Sequence, residues 1–203
     1  MTEASHIIGI DESGTGSWAG SFYLSAVAAP AGWYLNGIRD SKKTNASHRL
    51  RMVEAMEHSY RDLVHVESGV SPDDIEEHGQ AGAYARAFED VATEAVCLLP
   101  VERSRAKIIV DGVGSQRLGI ILKGLNIRYQ FLPKADTLVQ QVAAASIFAK
   151  FRRDIEMNLL DKQYPQYKFQ MNAGYGTPEH IQALKQYGPI PHVHRKITRS
   201  PQG

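Results

Sequence analysis

Short apolar runs of strand length recur along this chain and alternate with stretches of helical periodicity. The strand-like runs cover residues 6–10, 22–29, 63–68, 106–110 and 127–132, and the first two are expected to pair as a β-hairpin. Helical patterns cover residues 47–59, 80–99 and 138–160, and Ser71-Pro72 and Thr177-Pro178 each begin a further helix. Strands that alternate with helices, without an internal repeat or a Ser/Gly linker, predict one α/β domain over residues 1–203.

Composition narrows the class of protein that this domain can be. The chain has 203 residues and 43% hydrophobic content, which is enough for a sizeable core. No stretch approaches the roughly 20 apolar residues of a membrane span, and no leader pattern opens the chain, so we expect a cytoplasmic protein. The single cysteine, Cys97, lies in an apolar helical run and is expected to be a buried thiol.

Charge gives a local signal for a polyanionic partner. The net charge is only +1, which does not by itself indicate a nucleic-acid-binding domain. Basic residues gather in residues 42–51, 150–153 and 192–199, and each of these runs can contact phosphates or lie on an ordinary solvated face. His192 and His194 alternate in the last of these runs, and we assign them no metal.

Acidic residues follow three of the strand-like runs. Asp11 and Glu12 end the first run, Asp111 ends the run at 106–110, and Asp136 follows the run at 127–132. Adjacent parallel strands lie about 4.8 Å apart, so carboxylates at neighbouring strand tips can share divalent ions. Oxygen-only ligands favour Mg²⁺ or Mn²⁺. The sequence therefore predicts a magnesium or manganese site at this edge of the sheet.

Each of these acids also has a structural explanation that is commoner when the residue is taken alone. Asp111 before Gly112 can simply make a turn, and Asp136 can cap a helix. Consecutive strand residues point to opposite faces, so Asp11 and Glu12 converge only if the strand breaks between them. The Gly-rich turn over residues 13–16 makes such a break plausible.

Two further features can contact a ligand. Gly14, Thr15 and Gly16 can present backbone N–H groups to a phosphate or a hydroxyl, although the next glycine, Gly20, does not complete a dinucleotide fingerprint. Tyr175 lies between two glycines, where an aromatic ring can stack on a sugar or base or can be an ordinary half-buried tyrosine.

Several motifs, in order, resemble the ribonuclease HII family, and the resemblance runs from Ile8 to about Lys196. GIDESGTGSWAG at residues 9–20 resembles the family's GIDExGRGxxAG, DSKK at 40–43 and VDG at 110–112 are identical to its next signatures, and KAD at 134–136 resembles its KGD. VAAASIFAKFRRD at 142–154 and YPQYKFQMNAGYGTPEHIQALKQYGPIP at 164–191 are similar to its two most specific motifs.

The resemblance implies a ribonuclease H-like fold, with a five-stranded mixed sheet flanked by helices and a helical C-terminal part from about residue 155. It implies that Asp11, Glu12, Asp111 and Asp136 are catalytic and bind Mg²⁺ or Mn²⁺. The expected reaction is two-metal-ion hydrolysis of the RNA strand of RNA/DNA hybrids, including single ribonucleotides embedded in duplex DNA, giving 5′-phosphate and 3′-hydroxyl ends.

Substrate-binding residues are also carried over by motif. Residues 14–16 are expected to meet the ribose 2′-hydroxyl, and Tyr175 is expected to stack at the RNA-to-DNA step. The expected phosphate-side residues are Lys42, Lys43, Lys134, Ser146 and Lys150.

The sequence departs from the family pattern at two places. Thr15 replaces the usual Arg and gives the GTG that is similar to the ribonuclease HIII branch, and Gly79-Gln80 replace a common Asn-Ile pair. One alternative is therefore a ribonuclease HIII-like nuclease that does not cleave at single embedded ribonucleotides. A second alternative, which does not depend on these departures, is a non-catalytic duplex-binding module. We expect a monomer, and the final residues KITRSPQG lack the pattern of a tail that binds a sliding clamp.

Overall fold

The computed structural model describes residues 4–38, 45–59 and 63–196. Five strands form one mixed sheet in the order β3-β2-β1-β4-β5, which confirms the predicted five-stranded sheet. The strands are β1 His6–Ser13, β2 Phe22–Pro30, β3 Val64–Val70, β4 Ala106–Asp111 and β5 Arg128–Leu132. Strand β2 pairs antiparallel with both β1 and β3, whereas β4 pairs parallel with both β1 and β5. The carboxyl ends of β1, β4 and β5 therefore meet at one edge.

Helices cover both faces of the sheet. They are α1 Ala46–Ser59, α2 Pro72–His78, α3 Gln80–Cys97, α4 Gln116–Gly124, α5 Ala135–Leu138, α6 Gln140–Gln163, α7 Phe169–Asn172 and α8 Pro178–Tyr187. Helices α3 and α4 pack on the face that carries Ile8 and Ile10. Helices α1 and α6 pack on the other face, which carries Val27 and Ala29. Two apolar layers thus enclose the sheet.

Helix α6 lies unusually close to the central strand. A Cβ atom on Gly9 would stand 2.2 Å from the backbone nitrogen of Val142, so only glycine allows this approach. Because Gly9 and Asp11 share one face of β1, the same approach brings α6 over Asp11.

Local caps explain where two of the predicted helices begin. Ser71 forms a capping box with Asp74 at the start of α2, and the Thr177 hydroxyl accepts a hydrogen bond from the His180 N–H at the start of α8. Both helix starts confirm the sequence prediction.

The C-terminal part is helical, as predicted, and has its own apolar cluster. Phe169 of α7 and Ala183 of α8 pack with Met157 of α6, with Tyr167 and with Ala19. Ala19, which follows β1, also forms an isolated bridge with His194. The C-terminal part is therefore attached directly to the turn that follows Asp11 and Glu12.

One prediction about the core is wrong. Cys97 is exposed at the last residue of α3, because the apolar face of this helix ends one residue earlier, at Val96. Within the described ranges, no helix has the length and apolar content needed to cross a membrane.

Candidate active site

Asp11 and Glu12 lie on opposite faces of an unbroken strand. The antiparallel ladder with β2 continues through Asp11, Glu12 and Ser13, so the predicted break between the two acids is wrong. Regular alternation turns Asp11 towards α6 and Glu12 towards α3. The ladder overrides the Gly-rich sequence because the turn begins only at Gly14.

A buried hydroxyl fixes Asp11 from the α6 side. Asp11 is 6% exposed, accepts a 2.8 Å hydrogen bond from the Glu12 N–H, and hydrogen-bonds the Ser146 side chain. The Lys150 ammonium donates to the Ser146 hydroxyl at 2.9 Å. The prediction that Ser146 contacts phosphate is wrong, because this residue is 0% exposed and supports Asp11 instead.

A tyrosine fixes Glu12 from the α3 side. The Tyr84 hydroxyl donates to Glu12 Oε2 at 3.3 Å, and the Tyr84 ring stacks with Phe22 and Phe88. Burial raises the pKa of Glu12 and, together with the Glu12 charge, that of Tyr84. Tyr84 therefore stays a hydrogen-bond donor at neutral pH.

Asp111 and Asp136 come from the next two strand ends. Asp111 Oδ1 accepts a 2.6 Å hydrogen bond from the backbone N–H of Ala135, and Asp136 is 3% exposed in the first turn of α5. The alternative that Asp136 is a helix cap is wrong, because Lys134, in a left-handed conformation, occupies the N-cap position. Asp111 does precede a turn, since Gly112 has a φ of +92°.

The carboxylates near β1 repel one another in a dry environment. Burial, followed by the charge of Glu12 and to a smaller extent that of Asp111, raises the pKa of Asp11 to about 7. Within the described part of the chain, no three Asp, Glu, His or Cys side chains converge closely enough to hold one ion. The donor set nevertheless fits a hard divalent cation, because it consists of oxygens whose mutual repulsion a cation would relieve.

The glycine loop, residues 14–16, follows β1 directly. Gly14 has a φ of +90°, and a Cβ there would lie 3.0 Å from Arg153 Nε. The N–H groups of Gly14, Thr15 and Gly16 have no acceptor among the described residues. Three successive backbone donors near the carboxylates are therefore not used by the described part of the fold.

Tyr175 stands beside this glycine loop. Its Cε1 atom lies 3.9 Å from the position that a Gly16 Cβ would occupy, and the side chain is 44% exposed. The turn that carries Tyr175 is attached to the loop region, because the N–H groups of Trp18 and Ala19 both donate to the Gly174 carbonyl. The structure thus brings together two features that are far apart in the sequence.

Two buried arginines hold this arrangement and were missed in the sequence. Arg153 donates to the carbonyls of Ala19, Ser21 and Ala173, and Arg195 donates to those of Thr15 and Gly20. Both lie in basic runs that were expected either to contact phosphates or to lie on a solvated face, and neither interpretation predicts a buried arginine. Nothing in the residue pattern distinguishes them from their exposed neighbours Arg152 and Lys196.

His194, to which no metal is assigned from the sequence, makes hydrogen bonds inside the C-terminal part. Its Nε2 atom lies 3.0 Å from Nε2 of His180, and its Nδ1 atom accepts from the Ile190 N–H at 2.8 Å. His180 is fully buried, and its Nδ1 atom lies 2.8 Å from the Tyr175 carbonyl oxygen. The histidine pair therefore supports the turn that presents Tyr175.

A cleft of about 710 Å³ opens beside the carboxylates. Its lining includes Glu12, Asp111, Thr15, Tyr84 and Arg117, so it connects two of the four carboxylates with the glycine loop. Of the predicted phosphate-side lysines, Lys134 is exposed at the start of α5 and Lys150 is half-buried. Lys42 and Lys43 lie outside the described residues.

Comparisons with known proteins identify the family of this chain. The chain matches the Ribonuclease HII family model over residues 8–200. The Ribonuclease HII of Neisseria meningitidis serogroup B is 34% identical over 197 residues, covering 94% of this chain and 92% of that protein. The Ribonuclease HII of Ruminiclostridium cellulolyticum is 35% identical over 190 residues, covering 94% of this chain and 68% of that protein.

Solved structures share the fold. The RNase HII of Archaeoglobus fulgidus, solved in a complex with PCNA, superposes with a TM-score of 0.75 and 26% identity, covering 97% of this chain and 96% of that one. Bst-RNase HIII in complex with Mn²⁺ superposes with a TM-score of 0.63 and 21% identity, covering 92% of this chain and 64% of that one, and shows a shared fold. This chain belongs to the ribonuclease HII family and is a metal-dependent endoribonuclease that hydrolyses the RNA strand of RNA/DNA hybrids.

Proposed function

We propose that this enzyme also cleaves at single ribonucleotides embedded in duplex DNA and leaves 5′-phosphate and 3′-hydroxyl ends. The observation that carries this proposal is the placement of the glycine loop and Tyr175 next to each other at the end of β1. A site that reads one ribose needs donors for the 2′-hydroxyl and a surface for the neighbouring sugar or base within one nucleotide's reach. These two features provide both.

Asp11, Glu12, Asp111 and Asp136 are the proposed ligands of Mg²⁺ or Mn²⁺. The bound ions would supply Lewis-acid activation of the attacking water and charge neutralisation at the departing 3′-oxygen. The Mn²⁺ complex of Bst-RNase HIII supports a divalent ion for this fold. In this chain, binding requires side-chain rotation at the strand ends, since the carboxylates do not converge as they stand.

Neighbouring groups position three of these carboxylates. Ser146, supported by Lys150, hydrogen-bonds Asp11, the Tyr84 hydroxyl donates to Glu12, and the Ala135 N–H donates to Asp111. Donors of this kind favour the charged carboxylate and limit its rotamers. They offset part of the cost of burying charged oxygens at the strand ends.

The proposed reading of the ribose is made by the main chain. The 2′-hydroxyl oxygen would accept from the N–H groups of the glycine loop, and DNA lacks this acceptor. Tyr175 would stack on the sugar or base at the RNA-to-DNA step. Lys134 and Lys150, with Lys42 and Lys43, would contact phosphates on either side.

Three duplexes of one sequence test the proposal: one with a single ribonucleotide, one with an all-RNA strand and one of DNA alone. With Mg²⁺ or Mn²⁺, we expect cleavage of the first two, the first more weakly than is usual for the family because Thr15 has no charge to offer a phosphate. Products should be ligatable after pairing with a complementary strand, as 5′-phosphate and 3′-hydroxyl ends are. Cleavage of the all-RNA hybrid alone would favour the ribonuclease HIII-like alternative, and binding without cleavage would favour the duplex-binding module.

The predictions of a monomer and of the absence of a clamp-binding tail stay predictions. The A. fulgidus RNase HII was solved with PCNA, and residues 197–203 of this chain lie outside the described residues.

A further inference from the structure

The two departures from the family pattern, Thr15 and Gln80, contact each other. Gln80 Nε2 donates to the Thr15 carbonyl oxygen at 3.0 Å, across a sequence separation of 65 residues. Arg195 Nη1 donates to the same oxygen, also at 3.0 Å. One backbone carbonyl of the glycine loop is thus held by two side chains, from the start of α3 and from the C-terminal segment.

Holding this carbonyl fixes the direction of the next N–H group. The Thr15 oxygen and the Gly16 N–H belong to one planar trans peptide, in which they point in opposite directions. The Gly16 N–H therefore points away from Gln80 and Arg195. It has no acceptor among the described residues, Gly16 is exposed, and the Tyr175 ring is its neighbour.

Arg195 and Gln80 differ in how many other contacts their side chains make. Arg195 is buried, also donates to the Gly20 carbonyl and lies 5.7 Å over the Phe22 ring, so it belongs to the framework of the loop. Gln80 is exposed at the first residue of α3 and, in the described part of the chain, its side chain makes only this hydrogen bond. Its contact can be removed without emptying a buried site.

We propose that Gln80 is a positioning residue for ribose recognition: it holds the Thr15–Gly16 peptide so that the Gly16 N–H faces the 2′-hydroxyl at the cleavage site. The inference rests on the proposed reading of the ribose by the glycine loop. Without Gln80, the Thr15 carbonyl keeps one donor and the exposed peptide can rotate. A rotated peptide presents an oxygen where the substrate needs a donor. The loss matters most when the duplex contains a single ribose.

Two substitutions at Gln80 test this role. Gln80→Glu has nearly the same shape but replaces the N–H donor with a carboxylate oxygen, and Gln80→Lys returns a donor of similar reach. The matched control is Gln116→Glu, which places the same charge at the exposed first residue of α4. For each variant, kcat and KM are measured on the single-ribonucleotide duplex and on the all-RNA hybrid, together with the thermal unfolding midpoint.

We expect Gln80→Glu to raise KM for the single-ribonucleotide duplex about tenfold, the loss that corresponds to one hydrogen bond, and KM for the all-RNA hybrid less than about threefold. The kcat values and the unfolding midpoint should change little. Gln80→Lys should restore the ratio between the two substrates, and Gln116→Glu should leave it unchanged. In wild type, the Gly16 amide should exchange more slowly when the single-ribonucleotide duplex is bound, and this protection should be lost in Gln80→Glu.

The possible negative results distinguish a failure of the Gln80 positioning role from a failure of the proposed ribose recognition. If Gln80→Glu weakens both substrates equally, or neither, while wild type distinguishes the single-ribonucleotide duplex from DNA, the positioning role is overturned and the ribose-reading function stands. If wild type itself treats the single-ribonucleotide duplex like DNA, the proposed reading fails and the role of Gln80 fails with it.

Discussion

Asp111 at the tip of β4 accepts a 2.6 Å hydrogen bond from the backbone N–H of Ala135, the first residue of α5. Ala135 is buried and directly precedes Asp136. The hydrogen bond therefore joins Asp111 to the residue that precedes Asp136, so it links the two segments that carry these proposed metal ligands. Because a single oxygen of Asp111 makes this contact, the charge of the side chain and its structural contact can be removed separately.

The first prediction compares Asp111→Asn with Asp111→Ala. Asn keeps an Oδ1 acceptor for Ala135 but loses the negative charge, so cleavage should fall by about 100-fold or more with little change in stability. Ala leaves a buried N–H without its partner, which should cost about 1–3 kcal/mol in the free energy of unfolding. Urea unfolding and single-turnover cleavage measure the two effects. Equal destabilisation by both substitutions would contradict the assignment of the hydrogen bond to Oδ1.

The second prediction concerns the stability of the metal-free enzyme. Burial and neighbouring charges raise the folded-state pKa of Asp11 to about 7 from an ordinary value of 3.8. The folded protein then binds this proton more tightly than the unfolded chain, so stability falls as pH rises from about 4 through 7. The full loss is about 4 kcal/mol.

Asp11→Asn should remove the destabilisation caused by ionised Asp11, and it should also remove the activity. In EDTA, the variant should be more stable than wild type at pH 8, and the difference should vanish towards pH 4. Adding Mn²⁺ at pH 8 should stabilise wild type more than the variant. Thermal unfolding across this pH range measures both effects, and a wild-type profile as flat as that of Asp11→Asn would contradict the prediction.

The third prediction concerns His180 and His194, the hydrogen-bonded pair that supports the turn carrying Tyr175. The Ile190 N–H occupies Nδ1 of His194, so the proton of neutral His194 lies on Nε2 and is donated to His180, whose own proton goes to the Tyr175 carbonyl. Burial, and then the His180 charge, lowers the pKa of His194 to about 4, and burial lowers that of His180.

Because these folded-state pKa values are lowered, the contribution of the neutral histidine pair to the free energy of unfolding is fully present above pH 6.5. It is lost as pH falls towards 4. His194→Phe keeps an aromatic ring beside Tyr167 but removes both hydrogen bonds. It should be less stable than wild type by about 1–3 kcal/mol at pH 7.5. Below pH 6.5, its stability should fall less steeply with decreasing pH than that of wild type. The control is His192→Phe at an exposed position, which should keep the wild-type fall in stability between pH 6.5 and 4.

The fourth prediction addresses Tyr175. Tyr175→Ala should slow cleavage of the single-ribonucleotide duplex more than that of the all-RNA hybrid, because stacking at one RNA-to-DNA step cannot be replaced by neighbouring riboses. The fall in kcat/KM should correspond to about 1–3 kcal/mol of lost transition-state stabilisation, the size expected for one stacked base. Tyr187→Ala, another exposed tyrosine, should not change the ratio of the two reactions. An equal slowing of both substrates by Tyr175→Ala would argue against a role at the junction.

The fifth prediction addresses the charge that is missing from the glycine loop. Thr15→Arg should strengthen cleavage of the single-ribonucleotide duplex, because a guanidinium can reach a phosphate, and should steepen its dependence on salt. The main-chain contacts of Thr15 with Gln80 and Arg195 involve the carbonyl and stay available. A variant with the salt dependence of wild type would show that position 15 does not approach the backbone of the substrate.

The sequence predicted the strands well because each has a compact apolar pattern. All five predicted strands form, and the acids Asp11, Glu12 and Asp111 lie at the ends of β1 and β4 as predicted. Helix α4 was missed, since its nine residues contain Gly119 and Gly124, which weaken a helical pattern. Its start depends on Ser115, whose hydroxyl accepts a hydrogen bond from the Leu118 N–H.

Side-chain direction could not be predicted in the same way. Arg153 and Ser146 share α6 with Arg152 and Lys150, and residue type alone does not tell which of them faces inward. Ser146 is buried where α6 approaches β1 closely, next to the contact between Gly9 and Val142, whereas Arg153 is buried by the turn after β1 and by the C-terminal part. A sequence pattern indicates which face of a helix is apolar, but the depth of packing is decided by two elements together.

The unbroken course of β1 gives the proposed reaction centre two halves that are held from different layers. The sheet acts as a partition: Asp11 takes its orientation from the layer that contains α6, and Glu12 takes its orientation from the layer that contains α3. A packing defect on one side of the partition would loosen one carboxylate and leave the other in place. We therefore expect that substitutions along α3 change the proposed recognition of the ribose while Asp11, held by α6, keeps its orientation.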